Sequence, residues 1–491
     1  MATDYSKDMY RQMMELFDKV DALTATIEDL KREHKEELAE KETQIDALKK
    51  KVEKLEAENS LLHEEVSRLK SDRNNNSGNS SNPPSSDRKG FRKANEYNGR
   101  KKSGKKQGAQ QGHKGKTLTK AEAEKLIGSG KCRHIVKEIG DPRRGKYTVK
   151  YEIDVSVETE VTEYRIYAGA RSPNMPDGEV YYGPKVKTLA VELYGIGVVS
   201  FLRIGEIIRS ITGKMIDIAA GTLYGFCCKF AEKGKASLKQ IEEHLLDSEV
   251  VYTDATVMTI NGEQAYVRNM SSEDCVRYYG MAKKDLETLN AVNVLTRFAG
   301  ILVHDHETAI YHFGIGHGEC NTHLIRYLLK NTEDSSNSWS GKLSSLLLEM
   351  KGAREKAGSE GRKSFSEREL AEYYRRYDEI LSEGLMENRA TKPKWAKREE
   401  TALLNRLVKY RDNHLLFLKN FNVAFTNNMS ERDLRKCKNR QKVSGGFRNM
   451  EGCRMFADIL SLIETAKKQK YNPYDVILGI FRSDNPAFSF C

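Results

Sequence analysis

No stretch of the 491-residue sequence approaches the roughly 20 consecutive apolar residues that a membrane-spanning helix needs. The N-terminal MATDYSKDMYRQ has no apolar signal core, so a cytoplasmic protein is expected. Cysteine is scarce. There are eight, and no two form a Cys-x-x-Cys pair, which argues against a disulfide framework and a zinc ribbon alike. Hydrophobic residues make up 38% and charged residues 31%, so part of the chain must be extended or solvated. What the chain has in excess is positive charge, +11 overall. Residues 88–116 hold 11 Lys or Arg and one Glu, nearly the whole excess. A local basic block either tracks a polyanion such as nucleic acid or is a solvated tail, and its density favours nucleic acid. The expected DNA contacts in this arm are Arg88, Lys89, Arg92, Lys93, Arg100, Lys101, Lys102, Lys105, Lys106, His113 and Lys114.

Residues 1–72 carry two blocks of heptads. Met13, Leu16, Val20, Leu23, Ile27 and Leu30 form the first, and Ile45, Leu48, Val52, Leu55, Asn59, Leu62, Val66 and Leu69 the second. Ile27 and Ile45 are 18 residues apart, two heptads plus four, a stutter that locally unwinds a supercoil. Leu at every d position with one Asn at an a position predicts a parallel homodimer; packing of one long helix on its own protein is the other reading. Residues 73–116 read as a flexible linker, RNNNSGNSSNPPSSD, followed by the basic arm. Residues 117–182 alternate apolar and polar side chains, clearest in TVKYEIDVSVETEVTEYRIYA, and predict a small antiparallel β unit. Cys132 and His134 there lack a second ligand pair, so zinc is not expected. Residues 183–248 predict a helical module that either holds DNA through Arg203, Arg209 and Lys214 or is core packing with exposed cations.

The chemistry centres on residues 249–334. EVVYTDATVMTI is a strand pattern interrupted by Asp254, a residue that strands disfavour. Asn261-Gly262 is a two-residue turn, so 250–260 and 264–269 form a hairpin, with a third strand near 275–279. Residues 298–304, FAGILVH, are apolar, as in a central strand covered on both faces, and lead into Asp305. Two-metal phosphoryl transfer needs carboxylates that hold divalent ions about 3.5–4 Å apart. Asp254 and Asp305 meet that need if their strands are neighbours. Glu431, ahead of Arg432, Arg435, Lys436, Lys438 and Arg440, suits a metal site beside a phosphate backbone; it equally suits a capping box with Asn428. His317, Cys320 and His323 form H-x2-C-x2-H, which either holds a metal or supports the acids. Residues 335–421 predict helices of mixed charge, inserted outside the sheet, and 422–491 complete the core.

Several long motifs, in order, are similar to those of one family. They are NSSNPPSSD, QQGHKGKTL, YTDAT with MTINGE, GILVHDHETAIYH, HGECNTHLIR, TNNMSERDLRKCKNRQKVSGGFRNMEG and SLIETAKKQKYNPYDVI. With the N-terminal heptads they make the chain resemble, over almost its full length, the DDE transposases of the bacterial insertion-sequence sixty-six family. The resemblance implies a multidomain α+β/α protein: a coiled coil, a small β unit, a helical module and an RNase H-like α/β catalytic domain with a helical insertion. It implies a catalytic and metal-binding triad of Asp254, Asp305 and Glu431, supported by His317, Cys320, His323 and Arg326. Mg²⁺, with Mn²⁺ as a substitute, is the expected cofactor. Double-stranded DNA, as element ends and target, is the expected partner, with accessory element-encoded proteins and nucleoid association when bound. The chain departs from the family in three places. The Cys-rich unit usual after the arm keeps only Cys132, YTDAT stands where HADET-like text is usual, and QQG stands for QPG. None removes a triad acid. The rival expectations are an RNase H-like structure-specific nuclease and an inactive coiled-coil DNA-binding protein.

Overall fold

The computed structural model describes residues 2–75, 119–167 apart from 140, 142, 144 and 146, 180–391, 394–482 and 488. The basic arm expected from Arg88 to Lys116 lies outside the described residues. The heptad region is one helix, α1 (Ala2–Asn74), of 73 residues. At 1.5 Å per residue it is about 110 Å long. Its a and d side chains from Met13 to Leu69 are exposed. Near its end, Ser71 Oγ donates to Asp334 at 2.6 Å. Among the described residues no helix is long and apolar enough to cross a membrane.

The β unit expected over 117–182 is not formed by the described residues. Helix α2 (Lys120–Gly128) starts on a Thr119–Glu122 capping box. The described residues of 131–167 then contain no strand, and Tyr151, Ile153, Val155 and Val157 are exposed. Alternation prepares a strand, but the ladder needs a neighbour, and the described part of the chain supplies none. The helical module is present as α3 (Pro184–Gly195), α4 (Phe201–Ile211), α5 (Ala220–Lys233) and α6 (Lys235–Asp247).

The sheet follows. Strand β1 (Val250–Ile260) turns at Asn261 and Gly262, φ 50° and 86°, into β2 (Glu263–Ser271), and β3 (Val276–Met281) pairs with β2. Two positive φ values make this the turn that matches strand twist. Short helices α7 (Leu286–Asn290) and α8 (Asn293–Arg297) lead to β4 (Ile301–His304), and a 3₁₀ turn, Thr308–His312, to β5 (Gly316–Glu319). The order is β3-β2-β1-β4-β5 in a single mixed sheet, with β1, β4 and β5 parallel. Strand β5 was not foreseen.

Helices α9 (Asn321–Ser335), α10 (Trp339–Ser359), α11 (Glu367–Asn388), α12 (Lys394–Lys409), α13 (Arg411–His414) and α14 (Leu416–Lys419) cover one face. The chain then returns through α15 (Asn428–Asp433), α16 (Arg435–Ser444), α17 (Met450–Lys468) and α18 (Pro473–Arg482). Alternation divides the core. Val251 and Leu302 join α3–α6 and α17 on one side; Tyr252 and Val303 join α9–α14 on the other. Both central strands are thus buried on two faces, as their apolar runs require. After α16 the chain is stitched to the end of β1, Phe447 N–H donating to Thr259 O at 2.8 Å. A Cβ at Gly446 would overlap that Thr259 carbonyl, which is why a glycine stands there.

Candidate active site

Register decides which acids meet. Strands β1 and β4 pair Val250 with Ile301 and Tyr252 with Val303, an offset of 51 residues. Carried two residues on, that offset sets Asp254 level with Asp305, just past the end of β4, on strands about 4.8 Å apart. In the hairpin, Asp254 faces Asn269. Asn269, fully buried, accepts from Asp254 N–H at 3.1 Å and from Ser430 Oγ at 2.6 Å through the same oxygen. Its amide donates to Ser271 Oγ at 3.0 Å and Ser430 O at 3.1 Å. Asn269 therefore latches α15, and with it Glu431, to the strand of the first acid. Asn427 adds a second tie, donating to Thr253 O at 2.9 Å and Asp305 Oδ1 at 3.4 Å. Its own N–H donates to Cys320 Sγ at 3.2 Å.

The alternative capping-box role of Glu431 is not realised. The N-cap of α15 is Asn427 and makes no side-chain cap bond. Glu431 falls one position past the N3 site of a box and its carboxylate points toward His323, 3.9 Å away. His323, at the start of α9, has Nδ1 3.3 Å from Asp305 Oδ2. Cys320, His323 and Asp305 place their ligand atoms within 4.8 Å of one another; His317 is not in that group. The H-x2-C-x2-H motif is therefore split. His317 packs against His304, ring centroids 5.4 Å apart, and Tyr311 at 4.7 Å. Arg326 Nη1 lies 3.2 Å from His323 Nε2. A neutral ring accepts that bond, whereas a protonated ring serves the two carboxylates.

The electrostatics follow from crowding acids in a buried place. Burial first, then the Asp305 charge, pushes the Asp254 carboxyl well above its ordinary range, against the pull of Ala255 N–H, Lys284 and Lys438. Burial also raises Asp305, but the hydrogen bond and charge of His323, with Asn427, outweigh it and hold Asp305 below its ordinary value. Burial would lower His323; Asp305 and Cys320 overcome it and push it up to about 11. His323 thus lies between Asp305 and Glu431, and Asp305 favours its protonated form. His304, beside Asp305, is lowered to about 3 by burial and stays neutral.

Sequence reasoning missed the frame around the acids. Arg268, fully buried on β2, donates to Thr253 Oγ1 at 3.0 Å and reaches both Glu307 oxygens at 2.6 Å. It ties the neighbour of Asp254 to the turn carrying Asp305. Lys284 was missed too; its Nζ stands 5.1 Å from the Tyr266 ring while its charge acts on Asp254.

The basic run is sorted by its helix. Arg432, Arg435 and Lys438 are exposed. Lys436 and Arg440, expected to face DNA, turn inward. Lys436 Nζ donates to Ile196 O at 3.0 Å. Arg440, 7% exposed, lies over the Tyr194, Phe447 and Phe456 rings at 4.8, 5.4 and 5.7 Å. Its contacts are cation–π packing, which leaves no face for a phosphate. In the helical module, Arg203, Arg209 and Lys214 are exposed while Ile204 and Ile208 pack inward.

A family model described as Transposase IS66 family matches residues 187–455, more than half of the chain and the part holding all three acids. A second, described as a family of unknown function (DUF6444), matches residues 26–119. No curated protein matches the chain.

Proposed function

The chain belongs to the IS66 transposase family, and from that premise we propose that it is a DDE transposase whose triad is Asp254, Asp305 and Glu431. The observation that carries this reading is the register that levels Asp254 with Asp305 while the Asn269–Ser430 latch brings up the helix of Glu431. The strand order β3-β2-β1-β4-β5, antiparallel across the hairpin and parallel beyond it, is compatible with an RNase H-like catalytic domain and supports the same reading. The helices from α10 to α14 are then its insertion.

The donor set fits divalent metal. Three carboxylates are the oxygen ligands that Mg²⁺ or Mn²⁺ prefers. The raised Asp254 carboxyl marks a place where negative charge lacks a full counter-charge. When bound, the metal would activate the attacking oxygen and stabilise the leaving one. The chain's own residues do the rest. Asp254 and Asp305 present the carboxylate oxygens that would hold the cations beside the reacting phosphodiester. Asn269, Asn427 and Arg268 keep the acids from moving apart. His323 offsets the Asp305 charge. Lys284, Arg432, Arg435 and Lys438 offer the DNA backbone positive charge at the rim, and the basic arm extends that contact. In the proposed reaction, water cleaves a phosphodiester at an element end and frees a 3′-hydroxyl, which then attacks target DNA. Joining two ends calls for two protomers, which the exposed heptad stripe of α1 would pair.

Replacing Asp254 with Asn is expected to abolish strand transfer from a labelled element end while leaving end binding nearly intact. Strand transfer retained in that variant contradicts the assignment. Hydrolysis without strand transfer by the unaltered protein would instead favour the nuclease.

A further inference from the structure

A buried carboxylate outside the triad is tied to the turn that carries Asp305. Glu319, the last residue of β5, has a side chain 1% exposed. Groups from two directions converge on it. From the turn after β4, His306 Nδ1 lies 2.9 Å from Oε1, and the Tyr311 hydroxyl donates to the same oxygen. From the insertion, Arg406 donates to Oε2 at 2.6 Å, and His414 Nε2 is 3.3 Å from it. One oxygen serves the turn and the other serves the insertion. Rings strengthen the junction: Tyr410 of the insertion stacks on Tyr311 at 4.8 Å and meets His306 edge-on at 4.9 Å.

A carboxylate this far from water persists only when paired and hydrogen-bonded. Burial raises the Glu319 carboxyl, but hydrogen bonds from His306 and His414 and the Arg406 charge hold it far below its ordinary range. The turn itself needs anchoring. His306 has φ 57°, a left-handed conformation that side chains other than glycine rarely adopt. His306 is fixed on Glu319, and Glu307 is fixed on Arg268. Asp305 sits directly ahead of these two anchored residues.

We propose that Glu319 is a positioning residue through which the helical insertion sets the turn bearing Asp305. The inference rests on the reading of Asp305 as the second triad acid. The insertion is then a working part of the site.

The test uses the full-length chain with Arg406→Gln, which alters the insertion side and leaves Asp305, His306 and Glu319 in place. Amide hydrogen exchange is followed over residues 304–312. Single-turnover cleavage and binding are measured on a labelled duplex carrying the terminal sequence of the element encoding the chain. Exchange over 304–312 is expected to rise severalfold while β1 and α17 stay unchanged. Cleavage is expected to fall about 10- to 100-fold, the scale of a small misplacement of a reacting group, with affinity for the duplex within twofold. Arg406→Lys, which keeps the charge, is expected to regain most of both. Should Arg406→Gln fail to fold, Tyr410→Leu removes ring contacts without a charge and is held to the same expectations. Unchanged exchange over 304–312, or cleavage within twofold of the unaltered protein, overturns the proposal. Asp305→Asn run beside it separates the two claims. If Asp305→Asn cleaves normally, the triad reading fails; if it is dead while Arg406→Gln is normal, only the positioning role fails.

Discussion

Asn269→Ala removes the side chain that holds Glu431's helix to Asp254's strand. Asn269 and Ser430 are both fully buried. The substitution leaves Asp254 N–H without its 3.1 Å acceptor and Ser430 Oγ without its 2.6 Å acceptor. The Ser430 carbonyl keeps a helical partner, Leu434 N–H at 3.1 Å, so it is not orphaned. Two buried groups left unsatisfied at about 1–3 kcal/mol each put the loss near 3 kcal/mol. Urea denaturation reads this as a lower midpoint with an unchanged slope. Ser430→Ala removes the same contact from the other side. A double-mutant cycle is therefore expected to give a coupling of about 1–2 kcal/mol between the two positions. End cleavage is expected to fall in both variants because Glu431 is released from Asp254. A loss below about 1 kcal/mol without coupling, and with cleavage at the normal rate, refutes the latch.

Arg268→Met leaves Glu307, 23% exposed, without its bidentate partner. A loss of about 3 kcal/mol in denaturation is expected, with Glu307→Gln in the same chain recovering much of it. Lys438→Ala is expected to weaken DNA binding and flatten the dependence of log K on log salt by about one counterion. Arg440→Ala is expected to leave that slope unchanged and lower the melting temperature instead, because its guanidinium packs on three rings. Leu55→Glu puts a charge into the exposed heptad stripe; sedimentation equilibrium is expected to shift from dimer toward monomer, with the melting of the sheet domain unchanged.

The hairpin was legible because its signals are local. A two-residue turn at Asn261-Gly262 places residue 254 opposite 269, so the partner of Asp254 was already written in the sequence. The helices α10–α14 and the closing helix α17 were legible from their composition and periodicity. Strand β5 was not, because GHGE has poor strand propensity and is extended only by its ladder to β4. Its glycines serve packing: a Cβ at Gly318 would lie 2.9 Å from Val423 Cγ1 and 3.3 Å from Val303 Cγ2. The described residues of 131–167 present the opposite case, since their alternation is strong but the described chain offers no strand to pair with. Glu431 was ambiguous because a one-residue shift in where α15 begins separates a capping role from a site role. Lys436 and Arg440 were assigned by charge alone, whereas helical period puts Arg440 on the face of Cys437, which is buried. The acids are visible one at a time in the sequence. The residues that hold them together, Arg268, Asn427 and Glu319, and the tie from Asn269 to Ser430, are visible only through pairings across the fold.

The most direct measurement of the central claim replaces Mg²⁺ with Fe²⁺ and ascorbate and maps where the polypeptide backbone is cut. A shared metal site predicts fragments ending near residues 254, 305 and 431, suppressed by excess Mg²⁺. Cuts elsewhere that spare one of these three positions, or cuts that Mg²⁺ does not suppress, would contradict it.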